Sequence, residues 1–163
     1  MRNLKKVLVV DDFRLSPVLL AKYLDRSGFA THTASNGREA LENFRREEPE
    51  MLISDAHLPG MNGFELTRRV REISVIAIVI MSAGSGYVED DQEAAIDSGA
   101  DAFLMKPFDL VDLLDEINGL LAKAKPGAEW RRKLATAKTE DNGDNYRATG
   151  NRSESAGAML TVT

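Results

Sequence analysis

The sequence predicts an α/β fold: a doubly wound, five-stranded parallel sheet in the order 2-1-3-4-5 with helices on both faces. Two observations carry that prediction. Apolar runs alternate with helix-forming segments five times over residues 4–122, with short connections between them. Such alternation implies parallel strands covered by helices on both sides. The cores of the runs at 7–10, 51–54 and 75–81 are also continuously apolar, as strands buried on both faces require, whereas those at 29–34 and 102–105 are short and suit the flanks.

The length of 163 residues allows one ordinary domain. No cysteine is present, so disulfides, thiolate metal sites and cysteine nucleophiles are excluded. The N-terminal apolar run ends after four residues in two acids, too short for an export signal. No run approaches the roughly 20 apolar residues of a membrane span, and a cytoplasmic location is expected. Charge is uneven. Residues 1–124 hold 14 Lys/Arg against 21 Asp/Glu, a net of −7, whereas 125–163 hold 7 against 5, a net of +2. An acidic domain has no general attraction for phosphate backbones, so no direct nucleic-acid binding is expected of it. The division is 1–124 for the domain and 125–163 for a polar tail.

Val7-Leu8-Val9-Val10 is the first strand and ends in Asp11-Asp12. Ser16-Pro17 reads as a helix start, with Ser at the N-cap and Pro at the first helical position. Val18, Leu19, Leu20, Tyr23 and Leu24 supply its apolar face, and Ser27-Gly28 ends it. Residues 29–34 form a Thr-containing strand near an edge. Asn36-Gly37-Arg38-Glu39 opens the second helix as a capping box, with Ala40, Leu41 and Phe44 inward.

Met51-Leu52-Ile53-Ser54 is the central strand and ends at Asp55. Pro59-Gly60 and Asn62-Gly63 then break regular structure twice in five residues. A helix follows over 63–72, with Phe64, Leu66 and Val70 inward. Residues 75–81 give the strongest strand signal, β-branched at five of seven positions, and stop at Ser82-Ala83. A flexible Gly84-Ser85-Gly86 loop leads to a weak acidic helix over 89–97, whose Glu89-Asp90-Asp91 start is expected to be solvated. The short strand 102–105 ends at Lys106-Pro107. Asp109 caps a last helix with Leu110, Leu113, Leu114, Ile117, Leu120 and Leu121 on its apolar side.

In the 2-1-3-4-5 order the first and third strands are neighbours. Their carboxyl ends carry Asp11, Asp12 and Asp55, while the fourth and fifth deliver Ser82 and Lys106 to the same edge, where open α/β sheets bind ligands. Three carboxylates in one pocket repel one another; at about 5 Å and an effective dielectric near 20, each pair costs roughly 3 kcal/mol. A hard divalent cation compensates, and few protein oxygens with several waters suit Mg²⁺. A carboxylate beside Mg²⁺ and a lysine is equipped for phosphoryl transfer, with Asp55 as the nucleophile forming an acyl phosphate. Lys106 and the Ser82 hydroxyl would serve the phosphoryl oxygens. The alternatives are an Asp55 that caps a turn, and an Asp11, Asp12 and Lys106 cluster that is only a salt bridge.

The set Asp11-Asp12, Asp55 with Pro59 and Gly63 after it, Ser82-Ala83, Phe103 and Lys106-Pro107 resembles the receiver domain of bacterial two-component response regulators, the CheY-like family. The likeness covers about residues 4–122. It implies the flavodoxin-like receiver fold and makes Asp55 the phosphoacceptor. Asp12 and Asp55 would bind Mg²⁺ directly with the His57 backbone carbonyl, and Asp11 would act largely through water. Ser82 and Phe103 would form the switch pair, Lys106 would meet a phosphoryl oxygen, and the Lys106-Pro107 bond would be cis. Serine stands where threonine is common, and phenylalanine where tyrosine is common, so the ring brings no hydroxyl. The His57 imidazole is expected to face solvent and tune access to the site, and His32 to be structural.

The resemblance implies a phosphorelay protein and not an enzyme, one that catalyses only its own phosphorylation and dephosphorylation. The phosphoryl donor would be a histidine kinase or a histidine phosphotransfer protein. A downstream protein would read the face of the fourth helix, fifth strand and fifth helix, because no output domain fits in residues 125–163. That makes the chain a single-domain response regulator or a receiver cut from a longer chain. The main alternative is a receiver-like module that binds partners without phosphorylation. A phosphatase would need a second carboxylate two residues after Asp55, where His57 stands. A flavin carrier would meet acids where its phosphate belongs. In the tail, Trp130, Leu134 and Ala137 among Arg131, Arg132 and Lys133 are compatible with a short amphipathic helix over 128–138. The Asn, Gly, Ser and Thr that follow predict disorder.

Overall fold

The strands β1 (Lys6–Val10), β2 (Ala30–Ala34), β3 (Met51–Asp55), β4 (Ala77–Ser82) and β5 (Ala102–Met105) form one parallel sheet in the order β2-β1-β3-β4-β5. The helices α1 (Ser16–Arg26), α2 (Gly37–Glu47), α3 (Gly63–Ile73), α4 (Val88–Ser98) and α5 (Leu110–Ala122) connect and follow them. This computed structural model describes residues 3–84 and 88–123. The expected tail and its amphipathic helix lie outside the described residues.

The two faces of the sheet take alternate residues of each central strand, as a period of two demands. Val7, Val9, Met51, Ile53, Val79 and Met81 pack against Leu20 and Leu24 of α1 and Leu113, Ile117 and Leu120 of α5. Leu8, Val10, Leu52 and Ile78 face Ala40, Leu41 and Phe44 of α2 and Leu66 and Val70 of α3. Beside them Ala56, Phe64 and Ile80 pack against Ala95 of α4. Each fully buried aliphatic side chain contributes about 2 kcal/mol by leaving water. The flanking strands β2 and β5 are only partly covered, which is why Thr and His are tolerated in the first.

Local details depart from the sequence reading in four places. Helix α1 is capped by Leu15, without a side-chain hydrogen bond, and Ser16 already lies inside it; the turn closes early because the Ser16 N–H donates to the Phe13 carbonyl at 3.1 Å. Val18 and Leu19 are exposed, because only the Leu20–Leu24 side of α1 reaches the sheet. Strand β4 starts at Ala77, two residues later than 75, since the Ile76 carbonyl is taken by the Arg71 guanidinium at 2.6 Å. Asp109 occupies the N-cap of α5 but makes no capping hydrogen bond with its side chain.

The capping box of α2 forms with one shift. Asn36 Oδ1 accepts from the Glu39 N–H at 2.9 Å, while the Glu39 carboxylate reaches back to the backbone N–H and hydroxyl of Ser35. Those two bonds hold the Glu39 carboxyl below its usual range. Asn62 caps α3 in the same manner through the Glu65 N–H at 2.9 Å. Among the described residues no helix is long and apolar enough to cross a membrane.

Candidate functional site

All five strands run the same way, so their carboxyl ends share one edge of the sheet, and residues at or just after the ends of β1, β3, β4 and β5 lie along it. Asp11, Asp12 and Asp55 each offer a carboxylate oxygen, and these atoms all lie within 4.8 Å of one another. Lys106 Nζ donates to Asp55 Oδ2 at 2.7 Å and to Asp11 Oδ2 at 2.8 Å. Burial works to lower the Lys106 pKa, but the hydrogen bonds and charges of the two aspartates outweigh it and raise the value.

Asp55 is the last residue of β3, paired in register with Met81, and its side chain keeps 12% of its surface open. Its Oδ1 accepts from the His57 N–H at 2.9 Å and its Oδ2 from Lys106, so the carboxylate is held at both oxygens. Asp11 is fixed alike, with Oδ1 taking the Phe13 N–H at 2.9 Å. Asp12 is exposed.

Gly63 holds the floor of the site. A Cβ at that position would collide with the carbonyl oxygen of Asp55 and lie 3.0 Å from the Ala56 Cα. The first turn of α3 therefore sits directly against the end of β3, with the Gly63 N–H donating to the Ala56 carbonyl at 2.8 Å. The end of β5 is tied to β4 by the Lys106 N–H and the Ser82 carbonyl at 2.7 Å, and the Lys106-Pro107 bond is cis.

The fit to a divalent cation follows from charge. Three carboxylates face one ammonium, which leaves a surplus of two negative charges in a mostly buried pocket with oxygen donors only. A hard dication matches both the charge and the donor set.

Ser82 is fully buried, and its hydroxyl donates to Asp91 Oδ2 at 2.6 Å and accepts from the Gly84 N–H at 3.1 Å. His57 Nε2 lies 2.8 Å from the same Asp91 oxygen. The His57 ring stands edge-on to Phe64, with centroids 6.2 Å apart. His57 is exposed, as expected, with 48% of its side chain open, although its ring is also tied to Asp91. One expectation is corrected: Asp91 is buried, not part of a solvated run. Burial pushes the Asp91 carboxyl up, but the bonds from Ser82 and His57 outweigh it and hold the group below the usual carboxylate range. Nothing in an acidic stretch marked this residue, because its partners come from 9 and 34 positions away. Phe103 is partly buried and packs against the Ala56, Phe64, Ile80 and Ala95 cluster. His32, on β2, lies 3.6 Å from Glu47.

The acidic pocket thus lies at the carboxyl ends of a doubly wound sheet, where such sheets bind their ligands, and a lysine closes it. A family model described as "Response regulator receiver domain" matches residues 7–118. The chain belongs to this family. It is 35% identical over 122 residues to the response regulator MprA of Mycobacterium leprae, which covers 74% of this chain and 53% of that protein. Among solved structures, the chemotaxis response regulator CheY4 of Vibrio cholerae superposes with a TM-score of 0.65 at 29% identity, covering 71% of this chain and 98% of that one. The response regulator TrrA of Thermotoga maritima, in complex with Mg(2+)-BeF, gives 0.62 at 30% identity over 71% of this chain and 98% of that one. The chain spans about half the length of the curated relatives it matches.

Proposed function

We propose that Asp55 accepts a phosphoryl group from a histidine kinase or histidine phosphotransfer protein in a Mg²⁺-dependent reaction, and that a protein partner reads the product. The observation that carries this reading is the Asp55 carboxylate held between Lys106 and the two aspartates after β1. Asp55 Oδ attacks phosphorus, the bond from phosphorus to the donor's imidazole nitrogen breaks, and the imidazole leaves with its electron pair. No base is needed, because the attacking oxygen is already ionised. Lys106, at 2.7 Å from Asp55, is within reach of a phosphoryl oxygen on that carboxylate and neutralises part of its charge. Asp12, Asp55 and the His57 carbonyl would hold the metal, with Asp11 behind them through water. Bound there, Mg²⁺ supplies positive charge against the phosphoryl oxygens.

A protein donor is supported by the apolar side chains between Asp12 and the first turn of α1: Phe13, Leu15 and Leu19 are 69%, 65% and 63% exposed. Phe13 follows Asp12 and donates its N–H to Asp11. A downstream reader at the α4–β5–α5 face is supported by exposed Ile96, Met105 and Val111 on those elements. Ser82 and Phe103 would be the switch pair joining the two. A resting protein with about 1% in the active form needs roughly 5.5 kcal/mol of differential stabilisation to make that form dominant. The chemistry ends with the chain's own phosphorylation and dephosphorylation, and a chain without cysteine suits the reducing cytoplasm.

Intact-mass measurement after incubation with a small phosphodonor and Mg²⁺ tests the reading. One phosphoryl unit is expected on the wild type and none on Asp55→Asn. An unmodified wild type would leave only a module that binds partners without phosphorylation.

A further inference from the structure

Asp91 has no part in the phosphoryl chemistry above, yet it is one of the few charged side chains that the fold buries. It lies in the first turn of α4 and its Oδ2 takes two hydrogen bonds, from the Ser82 hydroxyl at 2.6 Å and from His57 Nε2 at 2.8 Å. An ionised carboxylate only accepts, so both partners donate. A hydroxyl has one proton to give. While Ser82 gives that proton to Asp91, it has none for an oxygen at Asp55.

The same three residues close a circuit around the site. The His57 N–H donates to Asp55 Oδ1 at 2.9 Å, and the ring of that residue reaches Asp91. Asp91 in turn holds Ser82, which ends β4 beside β3. The start of α4 is thus tied to the loop after the phosphoacceptor and to the hydroxyl that the reaction would use. The bond from Ser82 is short and charge-assisted, among the stronger kinds a hydroxyl can make.

We infer that Asp91 is a positioning residue for the phosphorylation reaction: it is the resting acceptor of the Ser82 hydroxyl and competes for it with the phosphoryl group on Asp55. In the resting form Ser82 is held by Asp91. When Asp55 carries a phosphoryl group, Ser82 donates to a phosphoryl oxygen instead, and Asp91 keeps only His57. The competition favours the resting form, and its release detaches the first turn of α4 from the end of β4. This inference rests on Asp55 being the phosphoacceptor.

The test uses the full chain and the phosphoryl mimic beryllofluoride with Mg²⁺, titrated by calorimetry. Asp91→Ala is expected to tighten beryllofluoride binding by about tenfold, the lower range for one hydrogen bond to a charged group. Asp91→Asn, whose carbonyl still accepts from Ser82, is expected to fall between that variant and the wild type. In a Ser82→Ala background the effect of Asp91→Ala is expected to vanish, a coupling that a merely structural role for Asp91 would not produce. Equal or weaker binding by Asp91→Ala overturns the inference, as does an unchanged gain in the Ser82→Ala background. Should Asp91→Ala fail to fold, Asp91→Asn with and without Ser82→Ala discriminates in the same way through a smaller shift. A wild type that binds no beryllofluoride overturns the phosphoacceptor reading itself and this inference with it; wild-type binding that is insensitive to Asp91 overturns this inference alone.

Discussion

Arg71 Nη2 donates to Asp101 Oδ2 at 2.8 Å, and the same oxygen accepts from the Ile78 N–H at 2.8 Å. The arginine side chain is fully buried; its Nε reaches the Gly99 carbonyl and its Nη1 the Ile76 carbonyl. Burial lowers the arginine's pKa, and Asp101 works to restore it. One guanidinium thus ties the end of α3 to the start of β4 and to the turn before β5.

Arg71→Met is expected to cost about 3 kcal/mol, because it takes the guanidinium from the Gly99 and Ile76 carbonyls and leaves the partly exposed Asp101 carboxylate with the Ile78 N–H alone. Its urea midpoint should fall accordingly. The double variant Arg71→Met/Asp101→Ala should lose less than the two single losses combined, since neither partner is then left alone.

Gly63→Ala and Gly119→Ala should move stability in opposite directions. At Gly63 the added methyl meets the Asp55 carbonyl and the Ala56 Cα, and overpacking of this kind costs about 1–3 kcal/mol or more. Phosphorylation should slow as well, since the clash displaces the end of β3. Gly119 lies in α5 with nothing within 4 Å of a new Cβ, so alanine there should add roughly 0.5–1 kcal/mol. Thermal melts of the two variants check both signs.

Without Mg²⁺, Asp12→Asn should be more stable than the wild type by about 1 kcal/mol, through relief of repulsion among the three carboxylates. With Mg²⁺ at about 100 times its dissociation constant the wild type gains roughly 2.7 kcal/mol, and the order should reverse. Paired melts with and without the metal decide it. An unchanged order would separate the acidic cluster from metal binding.

Leu19→Glu should leave stability within about 0.5 kcal/mol of the wild type, because Leu19 is largely exposed. Labelling by a small phosphodonor should also be unaffected. Transfer from a phosphorylated histidine phosphotransfer domain that serves the wild type should fall about tenfold, the loss of one well-packed apolar contact. Equal transfer by both proteins would move the docking surface elsewhere.

The central strands and the acidic pocket were legible for one reason. Val7 to Val10, Met51 to Ile53 and Ile78 to Met81 are apolar on both sides, and each run ends at or one residue before the residue that reaches the edge. A parallel sheet converts those endings into a common edge where Asp11, Asp55 and Lys106 meet, whereas the Ser82 hydroxyl, at the same edge, turns to Asp91. Features that depend on which face of a helix meets the sheet were less readable. Val18 and Leu19 share the composition of Leu20 and Leu24, and only packing separates them. Arg71 and Asp91 were invisible because a charged residue on a helix looks solvated until its partners, 5 to 34 residues away, are known.

Lys106 joins Asp11 across 95 residues of chain and Asp55 across 51. Until the fifth strand has docked, the three aspartates stand without their lysine and repel one another. A truncated product that stops before residue 106 should therefore be mute toward a phosphodonor even if its first four strands associate. The acidic cluster and the ammonium that closes it are thus completed only when the last strand is home.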